Sequence, residues 1–225
     1  MAIKGFVYVI ESPAPHDLLD GRTEGRVLTE ALLLAGIPHW YSLASDRAML
    51  LESLGNRLRE ASRHHNNKLL PILHLSMHGS HQGVALTNGE FISWYDLRGL
   101  LLPLVQAMQG SLLVCMSSCF GSAGCRMAMY QDNEPHFWAL VGNTASATWA
   151  DAAIAYISFY HLFFKGFDIK ICVDSMKVAS GDHNFTFFLG ADTKAGWDTF
   201  VHQRSRQISA GVSQAADETS RKTKQ

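Results

Sequence analysis

The sequence predicts an α/β fold: a three-layer sandwich with a mostly parallel central sheet of about six strands, helices on both faces and a small hairpin. Three observations carry this. Short, near-continuous apolar runs alternate with stretches of helical spacing, which is how strands covered on both faces read. The 225 residues show no internal repeat and no internal linker, so they suit one large domain. The chain is 47% hydrophobic and only 17% charged, enough apolar surface to fill a full core without staples.

The elements follow in order. Phe6 to Ile10 (FVYVI) is a buried strand, and Glu11-Ser12-Pro13 opens the loop after it. Thr23 to Ala35 has helical spacing through Val27, Leu28, Ala31 and Leu32, and Gly36 supplies the C-terminal stop. His39 to Leu43 is a second strand. Ser45-Asp46 caps a helix over Arg47 to Arg63. Leu69 to Met77 is a third strand closed by His78-Gly79. Gly83 to Leu86 and Glu90 to Ile92 form a hairpin around Asn88-Gly89, a strong two-residue turn signal. Ser93 caps a helix to about Met108. Leu112 to Ser117 is a fourth strand, running into Ser118-Cys119-Phe120-Gly121, and a helix follows Ser122. Phe137 to Val141 is a fifth strand. Asp151 to Phe164 and Asp168 to Ser180 are helices, and Phe185 to Leu189 is the last strand. Residues 1–208 make the folded domain, and 209–225, polar and small, read as a disordered tail.

Composition excludes several functions. Nineteen basic against twenty acidic residues give a net charge of −1, with no basic stripe for nucleic acid. The uncharged run from Gly99 to Cys125 is broken by Pro103, Gln106, Gln109 and Gly110, so it offers no span of about 18 apolar residues for membrane insertion. The first residues do not read as a signal peptide, and the four cysteines, Cys115, Cys119 and Cys125 crowded together and Cys172 alone, do not read as a disulfide framework. The expectation is a reducing, cytoplasmic setting.

Ligands of open α/β sheets bind beyond the carboxyl ends of the strands. The third strand delivers His78 and the fourth delivers Cys119; with those strands as neighbours, an imidazole and a thiol meet at one rim. That is the minimum for thiol nucleophilic catalysis: His78 takes the proton and the Cys119 thiolate attacks a carbonyl. Gly79 lets a substrate backbone approach, and the Gly79 and Cys119 N–H groups form the expected oxyanion hole. Cys115, Cys125 and Cys172 read as core, as does His74. Zinc is disfavoured: His74 with His78, and Cys115 with Cys119, stand four apart on strands, about 13 Å.

These motifs also carry a resemblance. An apolar strand into His78-Gly79, then GVALTNGEFISWYDL, then LLVCMSSCFGSAG, then LVGNTASATWADAAIAYISFYHLFFKG, is similar to the CHAT group of caspase-like peptidases, relatives of separase, over residues 5 to 190. Ser118 stands where the family often has alanine. The resemblance implies a caspase-like fold and an endopeptidase with no metal or organic cofactor. It places the pocket for the residue before the cut (P1) at Glu11, Ser117 and Asp151, with Trp149 as a wall. Asp151 and Glu11 suggest a basic P1 residue, although Asp151 equally suits a helix N-terminus. Short bacterial relatives imply antiphage defence, a gasdermin-like pore former as protein substrate, and control in trans by a separate sensor. Two other readings stay open: a catalytically silent interaction module, and a flavodoxin-like hydrolase or nucleotide binder. The latter lacks a glycine-rich phosphate loop after the first strand.

Overall fold

The computed structural model describes residues 4–130 and 137–222, with side chains to residue 208. Six strands form the main sheet: β1 (Gly5–Ser12), β2 (His39–Leu43), β3 (Leu70–Gly79), β6 (Leu113–Ser117), β7 (Ala139–Asn143) and β8 (Phe185–Leu189). Their order is β2-β1-β3-β6-β7-β8, all parallel except β8, which runs antiparallel to β7. The hairpin β4 (Gly83–Ala85) and β5 (Phe91–Ser93) hangs from the end of β3, pairing His78 with Ala85 and Gly79 with Val84. The expected three-layer sandwich is therefore present.

Side-chain alternation along each strand splits the core in two. On one face Phe6, Tyr8, Ile10, Leu73, Leu75, Val114 and Met116 pack under α3 (Arg47–Glu52), α4 (Leu58–His64) and α5 (Trp94–Ala107). On the other, Val7, Val9, Ile72, Leu113, Cys115 and Val141 pack under α2 (Glu24–Leu34), α6 (Trp149–Phe163) and α7 (Ile169–Ser180). The uncharged run from Gly99 is accounted for by α5 and β6, with Leu101, Val105 and Val114 buried. No helix among the described residues is long and apolar enough to cross a membrane.

The capping expectations hold. Asp46 and Ser93 each accept a hydrogen bond from the backbone N–H three residues on, and Gly36 adopts φ +66° after α2. Four local features differ from the sequence reading. Glu11 and Ser12 extend β1, and a short helix α1 (Pro15–Leu19) follows, started by the proline. The helix from Arg47 contains a π segment, Ser53–Arg57, where the Tyr8 hydroxyl donates to the Ser53 carbonyl at 2.6 Å. After Ser122 the chain forms a 3₁₀ helix, Gly121–Ala128. Finally, α8 (Gly190–Lys222) follows β8, and its backbone stays helical through most of the segment expected as a tail; residues 223–225 lie outside the described residues.

The π segment gives a test of stability. A Tyr8→Phe variant removes this buried hydrogen bond and leaves the Ser53 carbonyl with the Leu58 N–H alone, so it should lose about 0.5–1.5 kcal/mol in urea unfolding. An unchanged midpoint would show that the hydroxyl contributes nothing net.

Candidate active site

The last register pair between β3 and β6 is Ser76 with Ser117; β6 ends there, while β3 continues to Gly79. β3 delivers His78 and Gly79. The chain after β6 delivers Ser118 and Cys119. The two segments touch at Gly79: a methyl there would overlap the Cys119 carbonyl oxygen and stand 2.8 Å from the Ser118 Cβ. Only glycine permits this approach.

Beyond Cys119 the chain turns sharply. Phe120 holds φ +55° and ψ +24°, a left-handed conformation that costs a non-glycine residue roughly 1–2 kcal/mol. Surrounding contacts impose it. The Phe120 N–H donates to Ala145 O at 2.9 Å, and the Gly121 N–H to Ser118 O at 3.1 Å. A Cβ on Gly121 would lie 2.6 Å from Met116 O, and one on Gly142 the same distance from Ser122 N, so the turn sits directly on β7. The His81 carbonyl accepts from Trp94 Nε1 at 3.0 Å and Arg126 Nη1 at 2.8 Å, while its ring packs 4.1 Å from that of Phe120. The loop after His78 and the turn after Cys119 are thus fastened together.

His78 and Cys119 open into one cavity of about 220 Å³, with Ser117, Ser118, Trp149 and Ala152 among its walls. The Cys119 thiol donates to Ala147 O at 3.7 Å. The His78 side chain is 42% exposed, and Trp149 meets its ring edge-on at 5.2 Å. His78 Nε2 lies 3.1 Å from Oδ2 of Asp17, a carboxylate on α1 that is only 4% exposed. Sequence reasoning missed Asp17. The Pro15-His16-Asp17 stretch after the first strand was the available signal, but nothing local says that α1 folds over the end of β3.

The other cysteines behave as core. Cys115, Cys125 and Cys172 are buried, and burial pushes their thiols up, Cys115 to about 12 and Cys172 to about 11. Cys119 is the partly exposed one among the four. His74 is fully buried, with Nδ1 3.1 Å from the Tyr160 hydroxyl and Nε2 3.4 Å from Glu24 Oε2, as an interior histidine should be. No cluster of three or more metal-ligating side chains occurs among the described residues.

Of the expected pocket residues, Ser117 and Trp149 line the cavity and two do not. Glu11 is 1% exposed and lies under α2, accepting from the Gly25 N–H and the Tyr41 hydroxyl, each at 2.8 Å. Because β1 continues through Glu11, alternation puts this side chain on the face of Val7 and Val9, where Gly25 of α2 closes over it. Asp151 lies in the first turn of α6 and is held by its N-cap: Thr148 Oγ1 donates to the Asp151 carboxylate at 2.7 Å and accepts its N–H at 3.1 Å. Meanwhile the hydroxyls of Ser117 and Ser118 are buried beside the cavity with no hydrogen-bond partner.

Glu11 carries a second prediction. Burial raises its pKa above the usual carboxylate range. The folded state therefore holds this proton more tightly than the unfolded chain, and the group costs stability as pH rises from about 4.3 through the raised value. A Glu11→Gln variant keeps an acceptor for Gly25 and Tyr41. It should be as stable as the wild type or more so at pH 7 in thermal unfolding, with alkylation of Cys119 by iodoacetamide unchanged. Slower alkylation without a loss of stability would return Glu11 to the pocket.

The chain matches no protein-family model and no curated protein sequence. Among solved structures it is similar to the complex of the pro- and mature domains of Porphyromonas gingivalis RgpB, at 9% identity and a TM-score of 0.48, covering 84% of this chain and 49% of that one. It is likewise similar to the Arg-specific cysteine proteinase gingipain R, at 10% identity and a TM-score of 0.48, covering 84% and 48%. The chain thus spans about half the length of these structures.

Proposed function

We propose that this chain is a caspase-like cysteine endopeptidase with a His78–Cys119 dyad, its peptidase domain spanning residues 1–208. The observation that carries the reading is the shared cavity: the partly exposed imidazole and the partly exposed thiol open into the same space, on segments held in contact at Gly79. His78 takes the Cys119 proton, and the thiolate attacks the scissile carbonyl carbon. The Gly79 and Cys119 N–H groups stabilise the tetrahedral oxyanion. Protonated His78 then gives its proton to the departing amine. Water, deprotonated by His78, releases the acyl group and restores the thiol. Every step uses residues of this chain, with no cofactor in the sequence of events.

The cavity walls bear on substrate choice. Ser117, Ser118, Trp149 and Ala152 offer apolar surface and two unpaired hydroxyls, and among the described residues no carboxylate lines the space. A basic side chain would enter with its charge uncompensated, at a cost of several kcal/mol. We therefore assign an uncharged P1 residue, in place of the basic one that Asp151 and Glu11 suggested. The substrate is a partner protein or peptide. The resemblance to short bacterial CHAT peptidases supports a role in antiphage defence, with a gasdermin-like pore former cleaved under the control of a separate sensor.

A peptidyl electrophile with an uncharged P1 residue tests the reading. It should label Cys119, as located by mass spectrometry, and labelling should disappear in His78→Ala. Equal labelling with and without His78, or labelling only by probes with basic P1, would count against the dyad or the pocket respectively.

A further inference from the structure

We infer that Asp17 is the positioning residue of this site: it holds the His78 imidazole in the tautomer and orientation that leave Nδ1 free to take the Cys119 proton. The inference rests on the peptidase reading and deepens it.

Three observations carry it. First, Asp17 is 4% exposed, and a buried carboxylate must find partners. Its side-chain partners among the described residues are two imidazoles, His78 at 3.1 Å and the largely exposed His16 at 3.5 Å; no lysine or arginine there pairs with it. Second, the contact is made by Nε2. A carboxylate only accepts, so Nε2 carries the hydrogen and Nδ1 keeps its lone pair as the base. Third, Trp149 stands edge-on to the ring at 5.2 Å, so the imidazole is bounded by an indole on one side and anchored by Asp17 on another.

The chemistry follows from charge. When Nδ1 accepts the thiol proton, the half-exposed ring becomes a cation hydrogen-bonded to a buried anion. Such a bond is roughly twice as strong as a neutral one. Asp17 therefore favours the thiolate–imidazolium form without touching substrate. Its location also explains α1: five residues beginning at Pro15 bring the carboxylate over the end of β3.

The test uses iodoacetamide as the probe, with alkylation of Cys119 followed by mass spectrometry from pH 5 to 9. Wild type should alkylate readily at pH 6. There, His78→Ala should lower the rate at least tenfold. Asp17→Asn, which can donate to Nε2 and so favour the wrong tautomer, should also lower it about tenfold. Asp17→Glu should recover part of the rate. A merely structural role predicts the opposite order, with the near-isosteric asparagine the milder change. If D17N gives the wild-type profile while H78A does not, Asp17 does not position His78. If H78A itself gives the wild-type profile, the dyad reading fails instead. A nitrogen-15 imidazole spectrum of the unmodified protein decides the matter even if D17N does not fold: neutral His78 should carry its hydrogen on Nε2, and a hydrogen on Nδ1 overturns the inference.

Discussion

A Cys119→Ala variant should fold as the wild type does and cleave no peptide bond. The thiol is partly exposed and makes a long hydrogen bond to Ala147 O, so its removal costs little stability. Its chemical loss is nearly total, because the acyl-enzyme route needs a nucleophile that no neighbour replaces. Ser117 and Ser118 are closest in sequence, but their hydroxyls are buried. Removing the nucleophile of a hydrolytic site costs on the order of 10⁴-fold or more in kcat. By contrast, Cys115→Ala empties core space and should reduce stability while leaving the site chemistry in place. Measuring cleavage and thermal unfolding for both variants separates nucleophile from core. Residual cleavage by Cys119→Ala above about 1% of wild type would mean that another group attacks.

The second large effect is expected at Gly79. An alanine there meets the Cys119 carbonyl oxygen, the Ser118 Cβ at 2.8 Å and the Ser118 Oγ at 2.9 Å. Backbone atoms cannot swing aside as a side-chain tip can, so β3 and the Cys119 turn must separate. A displacement near 1 Å between base and nucleophile costs about 10²-fold in rate, and overpacking of this kind costs about 1–3 kcal/mol in stability. Gly79→Ala should therefore lose both, whereas Gly89→Ala, in the hairpin turn where an added Cβ meets nothing within 4 Å, should lose only stability through its φ of +85°. Kinetics on the two variants with one peptide substrate would show the contrast. Wild-type activity in Gly79→Ala would mean that close approach does not set the site.

His78 and Cys119 were legible because each stands at the end of an apolar strand, and parallel α/β sheets gather such ends on one rim. The strands themselves were legible because both faces are buried. Asp17 was not, since its role depends on where a five-residue helix folds, a tertiary matter with little local signature. Glu11 misled because β1 runs two residues past its apolar stretch, and alternation buries the carboxylate beneath Gly25 of α2, where an added Cβ would lie 2.9 Å from Glu11 Oε2. Asp151 has two sequence-level explanations, pocket and helix N-terminus, and the Thr148 hydroxyl holds it in the first turn of α6. The helix after Ser122 became 3₁₀ because Gly121, Gly124 and the left-handed Phe120 crowd the turn onto β7 and its neighbours.

The central claim is that the His78–Cys119 pair cuts peptide bonds. Its most direct test is digestion of an unbiased, proteome-derived peptide mixture by the wild type, Cys119→Ala and His78→Ala, with new termini read by mass spectrometry. The account predicts new termini that follow an uncharged P1 residue with the wild type, and none above background with either variant. Cleavage that survives in the folded Cys119→Ala protein, or a wild type that labels with the electrophilic probe yet cuts nothing, would contradict it.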